Sequence, residues 1–361
     1  MNKLKSKKKR MILGSILAVV LIAIVSIFIF INQPSFGRTP RGERLERILR
    51  SPHYHDGAFH NELEVPVLTS DRSRIEGVFE FLFRKIDGLR PDTPVPVIKT
   101  DLKKIPADEN VLVWFGHSSY FIQIDGKRIL VDPVFYIASP VSFVNKPFQG
   151  TDAYHPEDMP DIDYLIITHD HWDHLDYQTV TELKSRVGKV ICALGVGEHL
   201  EYWGYDKEHI VELDWNEDAP LAPGFAVHCL PARHFSGRGL NPNKTLWASF
   251  LMETPSQNIY VGGDGGYGPH FAKIGERFPK IDLAILENGQ YNEEWRYIHL
   301  MPQYMAQAAK DLKAEKILTV HHSKYALAKH RWDGPLENAH HMAEKDSLNV
   351  LIPEIGEKVE L

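Results

Sequence analysis

The chain places a histidine-rich run directly after an apolar strand, and this arrangement limits the folds available to it. Residues 164–167 are Tyr-Leu-Ile-Ile, and residues 169–174 are His-Asp-His-Trp-Asp-His. Side chains two positions apart in an extended segment lie on the same side, so His169 and His171 can converge on one metal ion. A fold that contains this run must therefore bring the end of a buried strand to a metal site.

The rest of the run supplies further donors. The following turn directs Asp173 and His174 towards a second ion, whereas Asp170 is expected to face outward as a spacer. The chain has 19 histidines and only two cysteines, Cys192 and Cys229, so a metal site must use imidazole and carboxylate ligands. That set suits zinc, and it also suits iron or manganese.

Four donors are too few for two zinc ions, because each ion takes four or five ligands. Later strand ends must contribute the others, and His234, Asp264 and His321 each follow a predicted strand. Glycines flank Asp264 and permit a sharp turn there. His322 is the alternative ligand beside His321, but its side chain should point to the opposite side of the strand end.

Short β-rich segments dominate from residue 111 onward, and helical patterns alternate with the later strands. The predicted strands are residues 111–115, 121–124, 128–131, 164–167, 190–193, 226–230, 247–252, 258–261, 282–286 and 317–320. The predicted helices are residues 177–186, 270–278, 302–314 and 336–345. Strands that cluster first and then alternate with helices predict two sheets with helices on their outer faces.

The amino terminus predicts a membrane anchor. Residues 11–31 carry no charge, and as a helix they would span about 30 Å, the thickness of a bilayer core. A cleaved signal peptide is the competing interpretation, but this run is long and ends in Phe-Ile-Phe-Ile, without the small residues of a cleavage site. We therefore expect an uncleaved signal anchor, with a basic leader at residues 1–10 and a connector at residues 32–65. A short charged helix in the connector, around residues 43–50, is expected to be mostly solvated.

The charge distribution orients this anchor. Residues 1–10 carry +6 with no acid, which leaves −13 on the remainder of a chain whose net charge is −7. The basic flank should stay in the cytoplasm, so residues 32 onward are expected outside the cell membrane. An acidic domain has little basic surface for phosphates, which argues against nucleic acid as the main partner. A Cys192–Cys229 disulfide and the oligomeric state stay open.

Several motifs in one order resemble the metallo-β-lactamase superfamily, and more closely its branch of N-acyl-phosphatidylethanolamine-hydrolysing phospholipase D and bacterial relatives. The resemblance covers residues 108–340. The motifs are Trp-Phe-Gly-His-Ser-Ser-Tyr at 114–120, Asp-Gly-Lys-Arg-Ile-Leu-Val-Asp-Pro-Val-Phe at 125–135, the histidine-rich run, Arg-His-Phe at 233–235, Gly-Asp-Gly-Gly-Tyr at 263–267, Ile-His-Leu-Met-Pro at 298–302 and the segment 321–327. The resemblance implies an α+β fold, a four-layered αβ/βα sandwich with metals at one edge between the sheets, in a hydrolase domain at residues 66–361.

The resemblance also implies a ligand assignment for two zinc ions. The matching ligands are His169, His171 and His234 for one ion, Asp173, His174 and His321 for the other, and Asp264 as a bridge between both. The sequence departs from the branch at the last ligand, where relatives have His-Trp-Gly before an aromatic residue and this chain has His-His-Ser-Lys-Tyr at 321–325. Counting back from the aromatic residue favours His321.

Two cations about 3.5–4 Å apart can hold a bridging water, lower its pKa and present hydroxide to a carbonyl carbon or a phosphorus. Asp264 and Asp173 are therefore predicted catalytic residues as well as ligands. His117 and His299 are predicted catalytic residues because their motifs lie beside the metals in the resembled family, and a purely structural role is the alternative. Asp132 is expected either to hydrogen-bond a metal-binding imidazole or simply to cap a turn.

The resemblance implies that the substrate is an N-acylated membrane phospholipid, and the anchor suits such a substrate. One alternative is a lactonase of a sugar phosphate or other small phosphorylated substrate, or another ester or amide hydrolase of the superfamily. A second alternative is a non-catalytic, metal-stabilised extracytoplasmic binding module, which the complete ligand set argues against. Lys324 can supply a positive charge for an anionic substrate, or it can be an ordinary surface lysine.

Overall fold

A single long helix forms the amino terminus of the computed structural model, which describes residues 2–69, 76, 86–141 and 143–361. Helix α1 is Asn2–Ile31, and the part of it long and apolar enough to cross a membrane is Ser6–Ile31. The helix starts well before the predicted apolar run, because lysine, arginine and leucine in the leader are good helix formers. Between Ser6 and Ile31 it has no buried side chain, which leaves its apolar surface free to contact lipid.

The connector packs against the folded domain. It contains helix α2 (Gly42–Ile48) and a hairpin of strands β1 (Tyr54–His55) and β2 (Ala58–Phe59). Ile48 and Phe59 are completely buried in the main core. The helix is mostly solvated, as expected, and Ile48 is its buried residue. One side of α2 nevertheless contacts the domain, because it carries Ile48 into the core and Arg44 into ion pairs with Glu198 and Glu212.

The first sheet has seven strands. They are β3 (Val111–Trp114), β4 (Tyr120–Ile124), β5 (Lys127–Val131), β6 (Ile162–Ile167), β7 (Val187–Ala193), β8 (Ile210–Leu213) and β16 (Lys358–Glu360). Their order is β16-β3-β4-β5-β6-β7-β8. The pairs from β16 to β5 are antiparallel, and those from β5 to β8 are parallel.

The second sheet also has seven strands and the same division. They are β9 (Asp218–Ala222), β10 (Phe225–Leu230), β11 (Ser249–Glu253), β12 (Asn258–Val261), β13 (Ile281–Glu287), β14 (Ala314–Val320) and β15 (Val350–Leu351). Their order is β15-β14-β13-β12-β11-β10-β9. The pairs from β9 to β12 are antiparallel, and those from β12 to β15 are parallel.

Helices connect the strands. The longer ones are α3 (Tyr177–Leu183), α4 (Gly197–Tyr202), α5 (His270–Arg277), α6 (Pro302–Asp311) and α7 (Gly334–Glu344). Short 3-10 turns lie at Pro34–Phe36, Leu102–Lys104, Pro156–Asp158, Lys184–Arg186, Lys207–His209 and Glu293–Trp295. Pro302 is the first residue of α6, where its missing N–H costs no helical hydrogen bond.

The core divides at the second sheet. In β13, Leu283 and Ile285 belong to the large core between the sheets, whereas Ala284 and Leu286 pack with Phe271 and Met305 of the outer helices. This alternation follows from the two-residue period of a strand, and burial of both faces explains why β13 is apolar along most of its length. The predicted fold class, a sandwich of two sheets with helices on the outer faces, is confirmed.

Both cysteines lie in this core without a disulfide. Cys192 is in β7 of the first sheet and Cys229 is in β10 of the second, and each is a buried free thiol. Burial raises the pKa of both thiols well above their usual value. They therefore pack as small apolar side chains.

Candidate metal centre

The candidate metal centre lies where parallel strands of both sheets end. The histidine-rich run follows β6 of the first sheet, Asp264 follows β12, and His321 follows β14. The carboxyl ends of parallel strands meet at one edge of a sheet, and the two sheets present these edges to each other. This topology brings together residues that are more than 150 positions apart in the chain.

One group of donors consists of His169, His171 and His234, which we call the triple-histidine group. One ligand atom from each lies within 4.8 Å of the others. The Nε2 atom of His169 is 2.9 Å from Nδ1 of His171, and Nε2 of His234 is 3.1 Å from the same Nδ1 atom. Ring nitrogens converge in this way when they surround a cation.

The second group consists of Asp173, His174 and His321, with His117 beside them, and we call the first three the aspartate-containing group. Ligand atoms from all four side chains lie within 4.8 Å of one another. The Nε2 atom of His117 is 2.9 Å from Oδ2 of Asp173. His117 therefore lies at the metal site, where its ring holds the aspartate in place.

Asp264 lies between the two groups. Its Oδ2 atom is 3.2 Å from Nε2 of His174, 3.8 Å from Nε2 of His234 and 4.0 Å from Nε2 of His169. Its Oδ1 atom is 3.2 Å from Nδ1 of His321. A carboxylate that faces imidazoles of both groups is in the position expected of a ligand shared by two ions.

The backbone at this edge is held in an uncommon conformation. His117 and His321 have φ angles of 53° and 70°, in the left-handed region that residues other than glycine rarely adopt. Their loops are linked by backbone hydrogen bonds, because His321 N–H donates to the carbonyl of His117 and His117 N–H donates to that of His322. These bonds fix the two imidazoles relative to each other.

The outward-facing nitrogens of several imidazoles have acceptors of their own. His174 Nδ1 is 2.7 Å from Asp132 Oδ2, His234 Nδ1 is 2.7 Å from the Ile298 carbonyl oxygen, and His169 Nδ1 is 3.0 Å from Thr168 Oγ1. Asp132 therefore hydrogen-bonds His174, one of the predicted metal ligands. Such partners leave Nε2 of each ring facing the centre.

The donor set fits metal ions. Among the described residues, the buried atoms His174 Nε2 and Asp264 Oδ1 make no hydrogen bond of normal geometry, although each lies 3.2 Å from a polar atom of a neighbouring side chain. Burial and the neighbouring imidazoles lower the pKa of His169, His234 and His321 well below the usual value. These rings are therefore neutral, which is the form that binds metal.

His174 and Asp264 differ from these imidazoles, because their pKa values are raised. Burial alone would lower the pKa of His174, but Asp264, Asp173 and Asp132 raise it well above its usual value. Burial raises the pKa of Asp264, and the nearby His174 opposes this change. A proton shared between these groups in the metal-free centre would have to leave when a cation binds.

Asp170 departs from its expected place. It belongs to neither donor group, as predicted, but it is buried where the sequence predicted an outward-facing side chain. Its carboxylate lies 3.1 Å from His199 Nε2 and accepts hydrogen bonds from Thr245 Oγ1 and the Gly237 N–H. Burial would raise its pKa, but His199 lowers it to about 2. Asp170 therefore ties the histidine-rich run to neighbouring loops.

Glu287 is a site residue that the sequence analysis missed. It is the last residue of β13, and its buried Oε2 atom is 2.9 Å from Nδ1 of His299. The Leu300 N–H also donates to this carboxylate, and burial raises its pKa to about 8. Its signal was its place at the end of an apolar strand, at the same sheet edge as Asp264 and His321.

Two residues near the end of β14 are placed away from the donor groups. Lys324 is buried, and its Nζ atom donates to the Val134 carbonyl at 2.9 Å, so the expected role with an anionic substrate is not supported. Burial lowers its pKa to about 8. His322 hydrogen-bonds Ser323 and Thr319, which agrees with its prediction as an ordinary polar residue.

A cavity of about 500 Å³ lies beside His234. Its lining comes from residues 59–67 and from the loop between β10 and β11, and it includes Phe59, Glu64, Val67, Phe235 and Trp247. Asn61 of the connector fixes this wall, because its side chain donates to the His234 carbonyl and accepts from the His234 N–H. The connector therefore helps to shape the space next to the triple-histidine group.

Comparison with known proteins agrees with this geometry. Residues 127–322, more than half of the chain, match the family described as Beta-lactamase superfamily domain. The chain belongs to the β-lactamase superfamily. The matched residues run from β5 through the histidine-rich run, His234 and Asp264 to His322, so the candidate centre lies within the family's domain.

Individual members of the superfamily extend the comparison. An uncharacterized protein of Mycobacterium tuberculosis is 37% identical over 321 residues, which cover 86% of this chain and 85% of that protein. N-acyl-phosphatidylethanolamine-hydrolyzing phospholipase D 1 of Caenorhabditis elegans is 30% identical over 232 residues, 59% of this chain and 64% of that enzyme. The structure of Igni18, a metallo hydrolase of Ignicoccus hospitalis, has a TM-score of 0.54 at 23% identity and covers 70% of this chain and 98% of its own. The chain is thus a metal-dependent hydrolase of the β-lactamase superfamily by fold and family.

Proposed function

We propose that this hydrolase is a membrane-anchored phosphodiesterase of phospholipase D type that uses two zinc ions and acts on N-acylated phospholipid. The observation that carries the proposal is the pair of donor groups on either side of Asp264, with buried donor atoms that make no hydrogen bond of normal geometry. Such a set is typical of dinuclear hydrolases. The triple-histidine group and Asp264 would hold one ion, and the aspartate-containing group and Asp264 the other.

When bound, the two ions supply Lewis acidity and an activated water. The chain's own residues then orient the reacting groups. His117 holds the carboxylate of Asp173 through a contact of 2.9 Å, and Asp132 orients the ring of His174. These contacts keep the donors in one geometry, which avoids reorganisation during the reaction.

His299 is proposed to handle a proton. Its Nδ1 atom is held by Glu287, which leaves Nε2 as the ring nitrogen free to donate to the leaving oxygen. The ring lies 5.0 Å from His234 and 5.6 Å from His321, measured between ring centroids, and its side chain stays partly exposed. Burial lowers the pKa of His299, which makes its imidazolium a stronger acid that gives its proton to the leaving oxygen more readily.

The substrate class is supported by two independent features. The Caenorhabditis elegans relative is a phospholipase D that hydrolyses N-acyl-phosphatidylethanolamine. The apolar part of α1 is long enough to cross a bilayer and would keep the centre beside lipid. The basic leader is proposed to remain in the cytoplasm, with the metal centre outside the cell membrane. The reaction adds water to phosphorus and breaks the bond to ethanolamine oxygen, which yields phosphatidic acid and N-acylethanolamine.

The test uses the full chain reconstituted into phosphatidylcholine nanodiscs that contain N-acyl-phosphatidylethanolamine. Metal analysis should find two zinc ions per chain, and mass spectrometry should find phosphatidic acid and N-acylethanolamine in equal amounts. A chelator should stop their release, and zinc should restore it. Parallel assays contain phosphorylated lactones or bis(p-nitrophenyl) phosphate.

The outcomes of this test separate the candidate functions. Turnover of lactones without phosphodiester cleavage would replace the proposal with a lactonase. A protein that binds metal but hydrolyses none of the substrates would act as a binding module.

A further inference from the structure

The end of helix α1 touches the histidine-rich run. The ring of Phe30 packs edge-on against Phe36 at 5.2 Å between centroids, and Phe36 packs edge-on against Trp172 at 4.9 Å. Trp172 lies between two proposed metal ligands, His171 and Asp173. A line of three aromatic rings therefore connects the apolar helix to the loop that holds the metal donors.

The chain between helix and domain is fixed rather than loose. We call residues 32–38 the exit segment. Trp203 Nε1 donates to the Pro34 carbonyl at 2.8 Å, and Arg238 donates to the Ser35 carbonyl through Nε at 3.1 Å and Nη2 at 2.8 Å. Each acceptor belongs to the backbone, so these bonds hold the path of the exit segment and not only its side chains.

Arg238 joins the exit segment to the metal loop. The side chain is buried, and its Nη1 atom donates to the carbonyls of Asp170 and Leu175, which flank residues 171–174 of the histidine-rich run. Its guanidinium lies 4.1 Å from the ring centroid of Trp172 and 5.4 Å from that of Trp203. A buried arginine whose donors are used on both segments makes one rigid unit of them.

Ion pairs add a second attachment. Arg38 and Arg44 both contact the buried carboxylate of Glu198, at 2.5 Å and 2.7 Å. The N–H of Arg38 also donates to His199 Nδ1, whose Nε2 lies 3.1 Å from Asp170. The exit segment is thus linked to the histidine-rich run through side chains as well as through Arg238.

An apolar loop tip lies next to this junction. Leu240 is 77% exposed, which makes it one of the most exposed large apolar side chains of the folded domain. A Cβ atom on the preceding Gly239 would lie 3.9 Å from Phe36. The tip therefore follows a residue that lies beside Phe36, close to the end of the proposed membrane span.

We propose that the exit segment is a rigid mount that holds the metal edge of the sandwich against the bilayer surface, with Leu240 in the lipid. The inference rests on the proposed membrane anchoring and deepens it. A lipid would then present its headgroup to the centre without leaving the bilayer. A loose tether would instead let the domain rotate away from the membrane.

The opposite edge of the sandwich provides the matched control. Ser256 is exposed in the turn between β11 and β12 and bonds Asp125 in the turn between β4 and β5. These turns lie at the other ends of strands of four or five residues, about 15 Å from the metal edge. A rigid mount predicts that this edge stays in water.

The experiment measures how deeply two labelled residues lie in the membrane, and it does not require enzymatic activity. Nitroxide labels are attached to Leu240→Cys or Ser256→Cys in the full chain, which is reconstituted into phosphatidylcholine–phosphatidylglycerol vesicles. The native Cys192 and Cys229 are buried inside the protein and should not react with the label. The label at residue 240 should relax with oxygen and be shielded from a water-soluble nickel chelate, and the label at residue 256 should show the reverse. Two labels equally accessible to nickel in a membrane-integrated protein would overturn the mount.

A second measurement separates the mount from anchoring and catalysis. A six-residue Gly-Ser insertion after Asn32 should leave the protein in vesicles and preserve hydrolysis of soluble bis(p-nitrophenyl) phosphate, but slow hydrolysis of vesicle lipid by about tenfold or more because positioning is lost. If the insertion slowed hydrolysis of both substrates equally, or slowed hydrolysis of neither, the inference would be contradicted. If carbonate completely extracted the full chain without the insertion from the vesicles, the membrane anchor itself would be refuted. If that chain hydrolysed neither substrate, the proposed function would be refuted.

Discussion

The two donor groups of the centre differ in charge, although both use histidine. In the triple-histidine group, the outer nitrogens of His169 and His234 face neutral oxygens, Thr168 Oγ1 and the Ile298 carbonyl. The aspartate-containing group includes the Asp173 carboxylate, and the outer nitrogen of His174 faces the Asp132 carboxylate. Negative charge attracts a dication but also holds a proton on His174, so we expect the two groups to bind the same metal with different affinity and different pH dependence.

The largest expected effect follows from removal of the residue that the groups share. Asp264→Asn takes away the carboxylate that faces imidazoles of both groups, so neither ion should bind well and turnover should fall by more than about a hundredfold. Metal content and N-acyl-phosphatidylethanolamine hydrolysis are measured together. Asp108→Asn, on an exposed loop, is the control and should retain both. Full activity with two bound ions in Asp264→Asn would rule out a shared ligand.

Single-ligand variants divide the centre. His171→Ala should remove the ion of the triple-histidine group, and Asp173→Ala should remove that of the aspartate-containing group, because each ion loses one of its few protein ligands. Metal analysis should therefore give one zinc per chain for each variant. The exposed His340→Ala should keep two. Loss of both ions from either variant would show that the groups act as one site.

The parts of the fold that the sequence predicted are those whose pattern is local. All ten predicted strands are present, because strands buried on both faces, such as β13, are apolar along their length. The missed strands, such as β9 and β16, are short and lie at sheet edges. Strand β9 even contains Pro220, which an edge strand tolerates. Pairing of such strands is decided by the rest of the sheet.

Prediction of the candidate site was likewise limited to residues with a local sequence pattern. The donors after β6, β12 and β14 were predictable, because a strand end and a metal-binding residue type coincide in the sequence. The roles of Asn61 and Arg238 were not, because each depends on a partner more than 170 positions away in the chain. The expected outward position of Asp170 was wrong for the same reason, since its partners His199 and Thr245 are visible only in the fold.

A smaller effect is expected from a residue that contacts only one group. Asp132→Asn keeps the size of the side chain but weakens the hydrogen bond to His174, so zinc affinity of the aspartate-containing group should fall about 10- to 100-fold. The triple-histidine group should keep its affinity. Competition with a coloured chelator measures both affinities in the His171→Ala and Asp173→Ala backgrounds. Equal weakening of both groups would remove the distinction between them.

The groups should also separate with pH. The pKa of His174 is raised by three carboxylates, so in the metal-free protein this ring binds a proton that zinc must displace. Zinc affinity there should fall by about tenfold for each unit of pH decrease below that pKa. The imidazoles of the triple-histidine group have lowered pKa values, about 4 for His171, so their affinity should stay nearly constant from pH 8 to pH 6.

Zinc titration of Asp173→Ala and of His171→Ala at pH 6 and pH 8 measures this difference. Calorimetry in buffers of different ionisation enthalpy should find one proton released at the aspartate-containing group. If the triple-histidine group instead lost its zinc first as the pH was lowered, the attraction of the carboxylates for zinc would outweigh the competition from the proton on His174.

The smallest effect should come from a residue outside both groups. Glu287→Gln keeps a hydrogen-bond acceptor near His299 but removes the carboxylate, so the ring is held less firmly and kcat should fall about tenfold. Two zinc ions should remain, and KM should change little. Glu276→Gln, which is exposed on helix α5, is the matched control. A loss of zinc from Glu287→Gln would instead make Glu287 part of the metal centre, and the comparison between two donor groups would need a third member.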